Sequence, residues 1–304
     1  MIFALLACAG DDVLLDSGPT CDITIDSTDP SQGSTDHYFR GPLLFELSEP
    51  DPTATVVAPF AGTQTVDGDY VIFTPDEPLK PDTDYAVTFD YCHGAPEIAF
   101  STSSLGAPVE DTSSLVGRTY AVDFSEGRFI EGDEIGELLS TFFGRRLLVQ
   151  VLDYRDEGVD LRVAVSKVVS DQQEPCRRTT DLEGLDITAS PYFSFATDEF
   201  SFGAYEGELT FLDFSVDGTF AADGAAIGGV GFSLTLRVSE LVPILGVGDE
   251  DELCELADQL GVACELCGGQ TCVTISADRI LAPEVDIDLA SLAPEDLPAE
   301  CFED

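Results

Sequence analysis

Cysteine and carboxylate supply most of the reactive chemistry this sequence offers. There are nine Cys and 59 Asp or Glu, against two histidines (His37 and His93), a single Met and no Trp. Cys264-x2-Cys267-x4-Cys272, with Cys254 ahead of it, offers thiolates at zinc-like spacing, but no fourth ligand follows Cys272 as a knuckle requires. A Cys-Glu-Leu-Cys redox pair normally opens a helix after a parallel strand, whereas this one follows the end of a helical pattern. Disulfides are the stronger expectation, because nine thiols placed between β-like segments suit an oxidising compartment. Setting Cys8 aside leaves an even set: Cys21, Cys92, Cys176, Cys254, Cys264, Cys267, Cys272 and Cys301. Cys21 and Cys92 stand alone in the first third and are expected to pair, while the other six admit many pairings and the sequence does not choose among them.

The carboxylates face only 13 Lys and Arg, which gives a net charge of −46. Nucleic acid and anionic lipid surfaces would therefore be repelled, and nucleic acid is not expected as a partner. A solvated surface suited to high ionic strength accounts for most of these acids. Convergence of some of them on Ca²⁺, which takes roughly six to eight oxygen ligands, is the second expectation, although no D-x-D-x-D-G loop is present. Paired carboxylates could hydrolyse a glycoside, but among so many acids some pairs fall close by chance. The motifs G-x-S-x-G and H-E-x-x-H, a phosphate loop and a dinucleotide fingerprint are all missing, so no organic cofactor is expected. Gly224 to Gly231 (GAAIGGVG) lacks the lysine of a phosphate loop and reads as a strand packed closely on a neighbour.

The elements that would position these groups fall into two domains, as 304 residues with 44% apolar content suggest. Residues 1–20 read as an address and a tether. Met1 to Ala7 (MIFALLA) is a short apolar run, and Leu5-Leu6-Ala7-Cys8 resembles the lipobox of bacterial lipoproteins, in which the cysteine receives the acyl chains. Leu6 is larger than the common residue there and no Lys or Arg precedes the run; a start codon further upstream would explain both. The resemblance implies a membrane partner reached through lipid on Cys8 and a place in the cell envelope, as an outer-membrane lipoprotein or extracellular protein. Nowhere else do about 18 apolar residues run together, so no transmembrane helix is expected.

Residues 21–105 carry short alternating segments bounded by Pro, Gly and Asp: Cys21 to Ser27, Tyr38 to Leu47, Ala54 to Ala58, Tyr70 to Thr74, Tyr85 to Tyr91 and Glu97 to Ser101. Strands of this length and spacing predict a sandwich. Phe73 to Val87 (FTPDEPLKPDTDYAV) resembles the bacterial Ig-like domain of surface-layer and lipoprotein chains, where a strand leads into a Leu-x-Pro-x-Thr-x-Tyr corner. The resemblance implies that Leu79 caps the core, Pro81 stiffens the turn and the Tyr85 hydroxyl bonds back to upstream backbone.

Residues 106–114 read as a linker and 115–304 as a disulfide-rich β domain. Strands are expected at Val116 to Phe124, Arg146 to Asp153, Val159 to Val169, Tyr192 to Phe195, Glu208 to Val216, Thr219 to Ala222 and Val230 to Val238, with an Asp217-Gly218 hairpin turn. Helices are expected from Asp133 to Gly144 and from Asp249, with Glu252 three residues on, to a stop at Gly261. Val116 to Tyr120 (VGRTY) resembles the first strand of calycin barrels, from which no ligand is assigned. The fold expected is all-β: an Ig-like sandwich, then a larger barrel-like or double-sheet domain with two short helices. The function expected is a non-catalytic cell-envelope lipoprotein whose Ig-like spacer presents a C-terminal domain to a protein, glycan or lipid ligand. The alternative is a carboxylate-based extracellular hydrolase acting on polysaccharide.

Overall fold

In a computed structural model the described residues are 21–129, 145–168, 170–204, 207–298 and 301, of which 202–204, 207–209 and 294 are described by their backbone alone. Cys8, its tether and the helix expected over 133–144 lie outside them. The chain divides into two compact units: one takes residues up to Ser34, Gly41–Glu77 and Asp84–Phe100, the other Thr35–Arg40, Pro78–Thr83 and Ser101 onward.

The first unit is a sandwich of two antiparallel sheets. One sheet has the order β1-β2-β5-β4, from β1 (Ile25–Asp29), β2 (Leu43–Leu47), β4 (Gly62–Asp67) and β5 (Tyr70–Pro75); the other is β3-β6-β7, from β3 (Thr55–Val57), β6 (Asp84–Asp90) and β7 (Glu97–Ser101). Period two fixes which residues face inward. Leu43, Phe45 and Leu47 on β2, Val71 and Phe73 on β5, Val87 and Phe89 on β6, and Ile98 and Phe100 on β7 are all buried. The Phe45 and Phe89 rings stack at 4.3 Å. Tyr85 lies between Phe60 and Phe100, at 5.4 and 5.8 Å. Cys21 is bonded to Cys92, 71 residues away, a closure worth roughly 4 kcal/mol in chain entropy.

In the second unit β8 (Thr119–Val122), β10 (Leu147–Arg155), β11 (Gly158–Val165), β12 (Thr180–Asp186), β13 (Tyr192–Ala204), β14 (Gly207–Phe220), β15 (Ala226–Arg237) and β17 (Gln270–Val285) run as an antiparallel meander. It closes into a barrel because β17 pairs with β15 on one side and with β8 on the other. β9 (Arg128–Phe129) and β16 (Cys264–Cys267) add to β17. The interior is filled by side chains, among them Tyr120, Leu185, Ile187, Phe220, Ile227 and Ile280, each under 2% exposed. Tyr120 satisfies its hydroxyl inside by donating to Gly224 O at 2.9 Å. β8 is buried on both faces, for Ala121, Leu148 and Ala164 lie under Leu289 on the outside. Thr119 Oγ1 and Gln173 hold that covering segment at Ile287 and Ala290, and Cys176 is bonded to Cys301.

Two helices are described. α1 (Val238–Leu245) continues directly from β15 and was not expected. α2 (Glu250–Gln259) starts where the sequence places it: the Asp249 carboxylate accepts from Glu252 N at 3.0 Å. The hairpin turn expected at Asp217-Gly218 is absent. β14 runs straight through, with Asp217 opposite Ser194 and Gly218 opposite Phe193. Gly218 is there for space, since a Cβ would meet Phe193 and Ile227 at 2.8 and 2.9 Å.

Candidate functional site

All eight cysteines after Cys8 are oxidised, as Cys21–Cys92, Cys176–Cys301, Cys254–Cys264 and Cys267–Cys272. That removes the thiolates a zinc site or a Cys-Glu-Leu-Cys redox pair would need, because Cys264 and Cys267 belong to different bridges. Disulfides of this number suit an extracellular or envelope compartment. No cluster of three or more His, Cys, Asp or Glu side chains is arranged to hold a metal among the described residues. At the corner in the Thr35–Arg40 and Pro78–Thr83 segments, Leu79 is 5% exposed. Its N–H donates to Phe39 O, and Pro81 O accepts from Thr83 Oγ1 at 2.8 Å.

The carboxyls divide by environment. Asp51, 4% exposed, is held below its ordinary range by hydrogen bonds from Thr53 Oγ1 (2.6 Å), Thr53 N and Cys92 N. Asp111 and Asp186 are lowered by bonds from Ser113 and Thr188. Burial pushes Glu174 up, but Arg145 at 2.9 Å, the Cys176 N–H and the charge of Arg177 together more than offset it. Asp217 goes the other way. Burial, with the charge of Asp278, raises it to about 6 in spite of the attraction of Arg40.

Asp217 belongs to a polar cluster on the outer face of the barrel. Tyr192 pairs with Thr219, Ser194 with Asp217 and Asp217 with Gly231, so these side chains line one face of β13, β14 and β15. Gly231 leaves the space: a Cβ there would stand 3.3 Å from Asp217 Oδ2. The Thr35–Arg40 segment lies against the same face. The Tyr38 hydroxyl and Thr219 Oγ1 are hydrogen-bonded at 2.8 Å, and the Tyr38 ring fills the room left by Gly229, at φ +57°. Leu105 occupies the corresponding room at Gly228, so the glycine-rich stretch is a closely packed strand.

Arg40 is the unusual member. Arg118, Arg128, Arg145, Arg146, Arg155, Arg162 and Arg237 each lie within 3.4 Å of a carboxylate. Arg40, in this very acidic chain, has no carboxylate within ion-pair distance among the described residues. Its guanidinium instead sits 3.7 Å over the Tyr192 ring, and its Nε is buried without a hydrogen-bond partner. The nearby Asp278 is taken, since Arg128 donates to both its oxygens at 2.9 and 2.5 Å. Sequence reasoning missed Arg40 and Tyr192 and misread Asp217 as a turn residue; the one signal was an arginine far from any matching motif.

No family model matches this chain, and no curated protein matches it. Two solved structures share a partial likeness. An L,D-transpeptidase from Mycobacterium smegmatis is 14% identical, with 47% of this chain and 76% of that one covered at a TM-score of 0.24. Mycobacterium tuberculosis L,D-transpeptidase 1 is 15% identical, with 49% and 83% covered at the same TM-score. Similarity at that level assigns no activity.

Proposed function

We propose that this protein is a non-catalytic cell-envelope lipoprotein, tethered by acyl chains on Cys8, in which the Ig-like sandwich is a spacer and the disulfide-stapled barrel is a binding module. The observation that carries the non-catalytic part is the state of the acids around Asp217. A two-carboxyl hydrolase pairs a raised acid with a second carboxylate free to act as base or nucleophile. Here the neighbouring Asp278 has both oxygens committed to Arg128, and the raised acid faces a cation. The filled barrel interior also favours an outer-face binding surface over an internal cleft.

Palmitate labelling and detergent partition of the protein expressed from its natural start test the anchor. The wild type should enter the detergent phase and Cys8→Ser should stay aqueous; equal partition of the two sinks the lipoprotein reading. Incubation with neutral and acidic polysaccharides tests the rest. Release of reducing ends that is lost in Asp217→Asn would replace the binding module by the hydrolase.

A further inference from the structure

We infer that Arg40, Tyr192 and Asp217 form a binding site on the outer face of the barrel for the carboxylate of a small organic acid. The inference rests on the reading of the barrel as a binding module and names what it takes. Arg40 is a cation held in place by Tyr192 and Phe39 rings, at 3.7 and 5.4 Å, rather than by an acid. Its Nε is enclosed without a hydrogen-bond partner, and the side chain as a whole is only half-buried, so the terminal Nη groups are the donors left to a ligand. A guanidinium so placed offers parallel N–H donors, which match the two oxygens of a carboxylate. The whole chain repels anions, but that repulsion is screened beyond about 8–10 Å at physiological ionic strength, so contact chemistry decides.

A monoanion fits better than a dianion. The groups that face Asp217 are Arg40 and Tyr38 from the Thr35–Arg40 segment, Asp278 from β17 and Tyr192 from β13, while β15 presents only Gly231. Asp186 stands near Tyr192. One cation among these acids balances a single negative charge. Asp217, which titrates at about 6, carries a proton over a range in which a ligand carboxylate is still ionised. It then donates a hydrogen bond to the ligand; once ionised it repels it.

The test is NMR of the disulfide-intact full chain labelled at arginine ¹⁵Nε. Sodium acetate and sodium D-glucuronate are the probes, and glucose and inorganic phosphate the controls, at constant ionic strength. At pH 5 at least one carboxylate should shift the Arg40 Nε–Hε signal saturably, and glucose should not. If only protein with Asp217 protonated binds, affinity should fall about 30-fold by pH 7.5. Asp217→Asn should bind with little pH dependence, and folded Arg40→Lys, which keeps the charge but loses the fork, should bind at least tenfold more weakly. No saturable shift with either carboxylate, equal affinity for phosphate, or unchanged binding in Arg40→Lys would each overturn the site. None of those results bears on membrane partition or on polysaccharide hydrolysis, which test the function separately.

Discussion

Asp217→Asn should stabilise the barrel at neutral pH and do so less and less as the solution is acidified. A carboxyl raised from an ordinary 3.8 to about 6 binds its proton more tightly in the folded chain than in the unfolded one. Its ionisation therefore works against folding, with no effect below 3.8 and the full effect above about 6. Each tenfold change in acid constant is worth about 1.4 kcal/mol, so the ceiling is about 3 kcal/mol. Asp217 is not fully enclosed, and solvent screening discounts this to about 1–2 kcal/mol. The attraction of Arg40 is already contained in the net direction, so the neutral amide needs no separate correction. Urea unfolding followed by circular dichroism should be run at pH 4 and pH 8, with hydrogen exchange of β13–β15 peptides to assign the transition to the barrel, because a chain of two units need not unfold in one step. The difference between variant and wild type cancels the other acids. A variant equally stabilised at both pH values, or less stable than wild type at pH 8, would refute the argument.

Asp51→Ala strands two N–H donors and the Thr53 hydroxyl in the sandwich and should cost about 1–3 kcal/mol at pH 7 in a denaturation curve. Because the folded carboxyl is held low, the stability it adds is present above 3.8 and lost below it, so the penalty should shrink in acid. Gly229→Ala drives a methyl into the Tyr38 ring at a positive φ and should lower the barrel's stability by about 2 kcal/mol, measured by the same exchange experiment. The melting temperature should climb with sodium chloride as the charge of −46 is screened. Calcium stabilising far beyond sodium chloride of equal ionic strength would reveal a specific site, and a melting temperature flat in both salts would leave the acidity unexplained.

Where burial alternates strictly, strands were legible: β2 and β7 carry their inward residues at every second position. β4 was not, because Gly62–Asp67 is an edge strand with no buried side chain, and its one large apolar residue, Val66, is exposed and marks no inward face. β12 hid for a different reason. Its buried Leu182 and Leu185 are three apart, since Gly184 at φ +68° accompanies a register shift against β11, and the period of two is broken. Asp217-Gly218 shows tertiary pairing overriding a local turn preference. Oxidation of the cysteines could be read from their number, whereas the partner of Cys176, 125 residues away, depends on the path of the chain around the barrel, and those of Cys254 and Cys267 on how α2, β16 and β17 follow one another. The Arg40 cluster joins a segment between β1 and β2 to strands far along the sequence, and no spacing rule encodes such a meeting.

The barrel's closing seam has a temporal consequence. Strand β8 meets β17 only at Tyr120 with Glu284 and Thr119 with Val285, so its first strand waits for nearly all the rest to be made. Contacts that distant carry a large loop-closure cost and form late. During synthesis or export the sandwich has its whole sequence, including Cys92, while the barrel still lacks its keystone strand. Until β17 arrives, the edges of β8 and β15 are open templates for another chain, and a charge of −46 on each copy opposes such an approach during that interval.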